Sequence, residues 1–325
     1  MLDNKQKSIF THPVVLVLGA LLCCALWGSA SPFIKLGGAV MIPNIPEIKV
    51  ASTILFAGIR FTGAGILTVL IYSIARRKFL VPKVRNIPRI LTVSAFQTVI
   101  QYIFFYIGLA NTSSVKGTIT SGLSGFFCVL IASLIFKQEK LTLRKIIACV
   151  LGFAGIIVVN LNGLDSSFVF IGDGFVLISA ISLAFSSVLM KIFSKHEEPV
   201  LISGYQFIIG GIFMILIGII FGGRITIPDF GAVAILIYLS ALSAVAYALW
   251  GVLLKHNPVS RVTIFNFSTP FFGTVLSILL LSEDAGTGPI NIIATLLLVS
   301  AGIFLLNYQP KKKDNKKTFP TEEKG

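Results

Sequence analysis

Apolar residues in this chain run in long, nearly unbroken stretches joined by short polar connections. Ten such stretches lie near 14–38, 51–74, 88–110, 115–136, 143–161, 171–193, 201–221, 231–254, 260–281 and 288–307. Each is close to the length of helix that spans a bilayer. The stretches are too long for barrel strands and lack the alternation of two that a barrel wall requires. The pattern therefore predicts an all-α integral membrane protein of ten transmembrane helices.

Composition supports that reading. Hydrophobic residues make up 55% of the 325 positions and charged residues only 12%, about half of what a soluble domain carries. Length alone would allow two soluble domains, but this much apolar surface cannot be hidden inside them. The first stretch follows Lys5 and Lys7 and reaches the small residues Gly28, Ser29 and Ala30, as a cleaved leader would. It continues apolar to Gly38, so a retained first span is expected.

The net charge of +14 is not spread evenly. With the amino terminus placed inside, 22 of the 27 Lys and Arg fall on inside segments, including the tail lysines Lys311, Lys312, Lys313, Lys316, Lys317 and Lys324. That asymmetry predicts cytoplasmic termini in the cell membrane and an even number of spans. Basic residues flanking apolar runs fit a lipid surface, and no nucleic-acid partner is expected. Cys23, Cys24, Cys128 and Cys149 sit inside apolar runs without metal-ligand spacing and read as packing residues. His12, His196 and His256 lie at span edges, too scattered for a metal. The Asn111-Thr112-Ser113 triplet fits a glycosylation sequon, which arises easily by chance. No cofactor, metal site or catalytic group is expected.

The two halves of the chain resemble each other. The stretch from Tyr102 to Phe127 aligns without a gap on that from Tyr247 to Phe272, so that Tyr102 matches Tyr247 and Lys116 matches Arg261. Gly58, Phe61 and Gly65 match Gly204, Phe207 and Gly211 at the same spacing. Ala154-Gly155 matches Ala301-Gly302, Asn160 matches Asn307, and Phe33-Ile34-Lys35 resembles Leu189-Met190-Lys191. Each half holds five spans, an odd number, so the second half would enter the bilayer in the opposite sense. The expected organisation is a short segment 1–13, a first repeat 14–162, a second repeat 163–308 and a basic tail 309–325. Inverted repeats of this kind recur in secondary transporters.

These residues resemble the drug/metabolite transporter superfamily, in its EamA type with two tandem repeats. The features that carry the resemblance are Trp27-Gly28-Ser29, Pro32-Phe33 and Lys35 in the first span and Arg60-Phe61 in the second. Thr269-Pro270-Phe271, Glu283 and Ala301-Gly302 complete it. In the fourth span Ser124-Gly125-Phe126 lacks the proline common there but is followed by Glu139. The resemblance implies a ten-helix carrier with a central cavity between its halves, moving amino acids, other metabolites or drugs, often outward. Some related single-repeat proteins use a membrane glutamate in their first helix. This chain has no Asp or Glu in the central part of any span, so that device for proton coupling is not expected.

Arg60 is the sharpest single signal. A charge inside an apolar span is costly and faces a cavity or a partner, so Arg60 is a candidate cation for a substrate carboxylate. Its counterpart in the second half is Gln206. Gln101, Tyr102, Tyr247 and Trp250 are candidates for cavity walls that combine apolar area with polar edges. Trp27 and Ser31 in the first span and Asn266 and Thr269 in the ninth join this set. Gly117, Ser121 and Gly125 recur every fourth residue and read as a close-packing stripe. Pro32 and Pro270 are candidate hinges, because each removes a helical hydrogen bond and frees a carbonyl. The expected function is a secondary transporter for a small organic metabolite, amino-acid-like by preference and moved outward, working by alternating access. The alternatives are a broad-specificity drug exporter and a receptor or scaffold that transports nothing. An intramembrane enzyme would need a buried acid, base or metal cluster, which the spans lack.

Overall fold

A computed structural model describes residues 9–112, 114–159, 168–281 and 289–307. Segment 1–8, the tail 309–325, Asn160, Glu283 and the junction between the expected repeats lie outside the described residues. Among the described residues every regular element is helical.

Helix α1 spans Pro13–Met41 and α2 spans Pro46–Ala75. The third apolar stretch is α3 (Ile87–Ser94), a π-helical segment (Ala95–Ile100) and α4 (Gln101–Ala110) in one continuous rod. The fourth is α5 (Ser114–Gly122), α6 (Ser124–Leu130) and a second π-helical segment (Ile131–Ile135). Helix α7 covers Leu143–Val159. A π-helical turn (Phe170–Gly174) leads into α8 (Phe175–Phe193), followed by α9 (Pro199–Ile220) and α10 (Phe230–His256). The ninth stretch is α11 (Val259–Thr263), a 3-10 turn (Ile264–Phe267) and α12 (Ser268–Leu281), and α13 (Pro289–Asn307) closes the bundle. Eight of these helical segments are long and apolar enough to cross a membrane.

Local chemistry sets several starts. Pro13, Pro46 and Pro199 occupy the first turns of α1, α2 and α9, where a missing N–H costs nothing. Asp229 caps α10 by accepting from the Ala232 N–H at 2.8 Å. The ninth stretch departs from an unbroken, kinked span. Pro270 sits in the first turn of α12, and the α-helical ladder is interrupted just before it, at Ile264–Phe267. A proline cannot donate to the carbonyl four residues back, so the chain changes to a tighter turn there. Pro32 lies buried within α1, which runs through it.

Glycines bring the helices close. A Cβ on Gly58 of α2 would stand 2.8 Å from the Gly211 carbonyl oxygen of α9, and one on Gly65 would stand 2.5 Å from that of Gly204. The order is antiparallel. Helices α7 and α13 meet in the same way, with Gly155 against Thr295 and Val299 and Gly302 against the Ala148 carbonyl. Such contacts rely on dispersion, because lipid gives helices no hydrophobic reason to associate. The outer surface exposes Ile71, Leu134, Phe213, Ile237, Leu297 and Phe304, which suits lipid and would be costly in water.

Polar links cluster at the two ends. At one end the Glu139 carboxylate accepts from Lys145 Nζ at 2.7 Å, from the Ser260 N–H at 3.2 Å and from the Ser260 hydroxyl. Nearby, Glu197 accepts from Asn86 and the Lys83 N–H, and Asn257 donates to the Phe10 carbonyl. At the other end Asp173 pairs with Lys116 at 3.3 Å and accepts from the Thr112 hydroxyl. Phe10 and Leu306 both lie near the Glu139 end, so the described chain begins and ends on one side.

Candidate functional site

Arg60 stands midway along the 30 residues of α2, about 21 Å from either helix end at the helical rise. The helix begins earlier than the apolar stretch suggests, with Glu47 and Lys49 in its first turns, so Arg60 stands nearer the middle of the helix than of the stretch. Arg60 is only 3% exposed, and its Nε and Nη1 are buried without a hydrogen-bond partner. Its guanidinium carbon lies 4.3 Å from the Phe61 ring centre and 5.9 Å from that of Tyr102. Cation–π contact offsets part of the cost of burial but supplies no acceptor. The backbone is held by α10, whose Ser240 hydroxyl donates to the Arg60 carbonyl at 3.0 Å.

Aromatic rings from five helical elements converge here. Phe61 of α2 stacks on Phe207 of α9 with centres 5.1 Å apart and planes 5° from parallel. Phe61 also meets Tyr102 of α4 at 4.5 Å, and Phe207 meets Tyr247 of α10 edge-on at 4.9 Å. The Tyr102 and Tyr247 hydroxyls share a hydrogen bond of 2.8 Å. Trp27 of α1 packs edge-on against both Tyr247 and Trp250, at 5.0 and 4.9 Å. Tyr106 lies one turn beyond Tyr102 and within electrostatic reach of Arg60.

Polar atoms inside this cluster lack partners. The Trp27 Nε1, the Tyr106 hydroxyl and the Gln101 Oε1 are buried and unpaired. An unmet buried polar group costs about 1–3 kcal/mol, so these groups are available to hydrogen-bond a solute that enters.

Of the residues expected from sequence, the structure brings Arg60, Trp27, Gln101, Tyr102, Tyr247 and Trp250 together. Gln206 is fully buried beside Phe207, where its Oε1 accepts from Thr98 and its Nε2 is unpaired. Thr269 is on α12, with a buried unpaired hydroxyl; a Cβ on Gly28 of α1 would stand 2.6 Å from Phe272 of the same helix. Ser31 is exposed on α1, and Asn266 is half-buried in the 3-10 turn. Neither joins the ring-stacked or hydrogen-bonded network. Phe61 and Phe207 adjoin Arg60 and the tyrosine pair, although the sequence suggested them only as matched positions of the two halves, with Phe61 also carrying the family resemblance. Their signal was that match.

Residues 15–161 and 170–308 each match the EamA-like transporter family. The chain belongs to the EamA-like transporter family. It is 23% identical over 290 residues to an uncharacterized transporter of Archaeoglobus fulgidus, covering 88% of this chain and 96% of that one. It is 25% identical over 307 residues to the uncharacterized transporter YvbV of Bacillus subtilis, covering 88% and 89% of the two chains. A solved crystal structure shares the fold with a TM-score of 0.72 at 15% identity, over 90% of this chain and 96% of the other. The protein is thus a multi-pass membrane transporter.

Proposed function

We propose that this EamA-like protein is a secondary carrier that moves a small organic solute by alternating access, with Arg60 holding the solute's carboxylate. The observation that carries the reading is a buried guanidinium with two unpartnered nitrogens, midway between the bundle ends and walled by aromatic rings. A charge so placed is expensive unless something pairs with it.

Two oppositely oriented halves of five spans each, ten in all, would supply the motion. In support, residues matched between the halves repeatedly meet their own mates. Tyr102 bonds Tyr247, Phe61 stacks on Phe207, and the Gly58–Gly65 face packs on the Gly204–Gly211 face in antiparallel order. Contacts of that kind follow from a two-fold relation passing near the cluster. The two polar clasps then act as gates. Lys116 and Asp173 lie in different halves, as do Glu139 and Ser260. We assign the Glu139 end to the cytoplasm of the cell membrane on the strength of the basic connections. Outward movement of a small carboxylate-bearing metabolite is consistent with the direction and broad class that the family resemblance favours.

Purified protein in liposomes, offered labelled carboxylate-bearing solutes with and without a pH gradient, tests the reading. Saturable flux that falls at least tenfold in Arg60→Gln is expected. Flux of carboxylates unchanged in that variant would remove Arg60 from the mechanism.

A further inference from the structure

We propose that the central site selects a monocarboxylate with an aromatic or other apolar body and discriminates against the zwitterionic amino acid of the same shape. This rests on the carrier reading and narrows its substrate class.

The argument starts from charge. Among the described residues, the carboxylates stand at the ends of the bundle or outside it. Asp173 is held by Lys116, Glu139 by Lys145 and Ser260, Glu198 by Lys255, and Glu197 by Asn86. Asp229 caps α10, and Glu47 lies in the first turn of α2. The cluster around Arg60 therefore holds a cation and no described counter-ion. A single negative charge makes the loaded site neutral. A zwitterion leaves it with one net positive charge, and its ammonium group must sit in a low-dielectric pocket beside a guanidinium.

Hydrogen-bond chemistry points the same way. Besides Arg60 Nε and Nη1, the unpaired buried groups include the Trp27 N–H, a donor only, and the Tyr106 hydroxyl. These suit the lone pairs of a carboxylate, which only accepts. The unpaired acceptors here are all neutral: Gln101 Oε1, the Tyr106 hydroxyl and, one helical turn from Gln101, Gln97 Oε1. They can take a hydroxyl or neutral N–H, but none carries the negative charge that would offset an ammonium beside a guanidinium. The rings of Phe61, Tyr102, Phe207, Tyr247, Trp27 and Trp250 pack around these groups, a surrounding that favours a ring or compact apolar body.

The chain has two tryptophans, Trp27 and Trp250. Both lie in this cluster, so intrinsic fluorescence reports its occupancy without need of transport. Phenylacetate, phenylalanine and phenethylamine offer one ring with an anionic, a zwitterionic and a cationic head. Titration of the full-length protein in nanodiscs should give saturable quenching by phenylacetate, binding of phenylalanine at least about tenfold weaker, and no saturable response to phenethylamine. Arg60→Gln should abolish the phenylacetate response, and Arg60→Lys should retain part of it. Phenylalanine binding as tightly as phenylacetate, no saturable phenylacetate response, or a response unchanged in Arg60→Gln would overturn the proposal. The three-ligand series on the unmodified protein decides the matter even if Arg60→Gln does not fold. Parallel flux measurements keep the two readings apart. Transport of other solutes without phenylacetate binding defeats the monocarboxylate assignment alone, whereas phenylacetate binding without flux of any solute defeats the carrier reading alone.

Discussion

Each tyrosine of the Tyr102–Tyr247 pair satisfies the other, and the hydrogen bond joins α4 to α10 across the middle of the bundle. Removing one hydroxyl takes away its mate's partner in a part-buried setting. Tyr247→Phe and Tyr102→Phe should each cost about 1–3 kcal/mol, and the double variant should cost less than the sum of the two. Thermal unfolding of the four proteins in one detergent measures this coupling. The sequence shows Arg60 because a charge interrupts an apolar run, and it shows Tyr102 and Tyr247 because the two halves align on them. It does not show that Phe61 and Phe207 stack beside Arg60. Helices α2 and α10 are apolar on all sides, so periodicity does not mark which face turns inward.

At the scale of elements, glycine positions set helix spacing. Gly65→Ala places a methyl 2.5 Å from a backbone oxygen of α9, and Gly211→Ala places one 2.4 Å from the Thr62 hydroxyl. Both should lower the melting temperature and the yield of folded protein. Gly38→Ala is the internal control, because its added Cβ meets only a side chain at 3.6 Å and alanine favours helix; it should be neutral or stabilising. The spacing of these glycines is visible in the sequence, but their mates are more than 100 residues away and emerge only in the folded bundle. The Glu139 clasp was hidden for the same reason, since its partner Ser260 lies beyond four intervening helices. Burial works to raise the Glu139 carboxyl, but hydrogen bonds from Lys145 and Ser260 outweigh it and hold the group below its ordinary value. A depressed carboxyl stabilises the fold above its unfolded value, and that contribution is lost as pH falls through the folded one. Glu139→Gln should therefore melt below the wild type at neutral pH, and the gap should close as pH drops below the ordinary carboxylate range. A gap that stays constant across that range would show that the clasp contributes through packing alone.

For the whole molecule, the apolar stretches predict the helices well, and the departures have local causes. The ninth stretch is divided because Pro270 cannot continue the ladder. The fourth divides between Gly122 and Ser124, at a glycine that propensity already disfavours. What single-sequence reading leaves open is which ends close together, because that depends on contacts between halves. In the proposed alternating-access cycle the clasps at Lys116–Asp173 and Glu139–Ser260 open in turn around a central cation. All four cysteines are buried, so pairs introduced at the ends can be cross-linked selectively. Lys116→Cys with Asp173→Cys, and separately Glu139→Cys with Ser260→Cys, should each permit flux in liposomes when reduced. Cross-linking either pair should stop flux, and reduction should restore it. Flux that continues with either end locked would contradict alternating access in this protein.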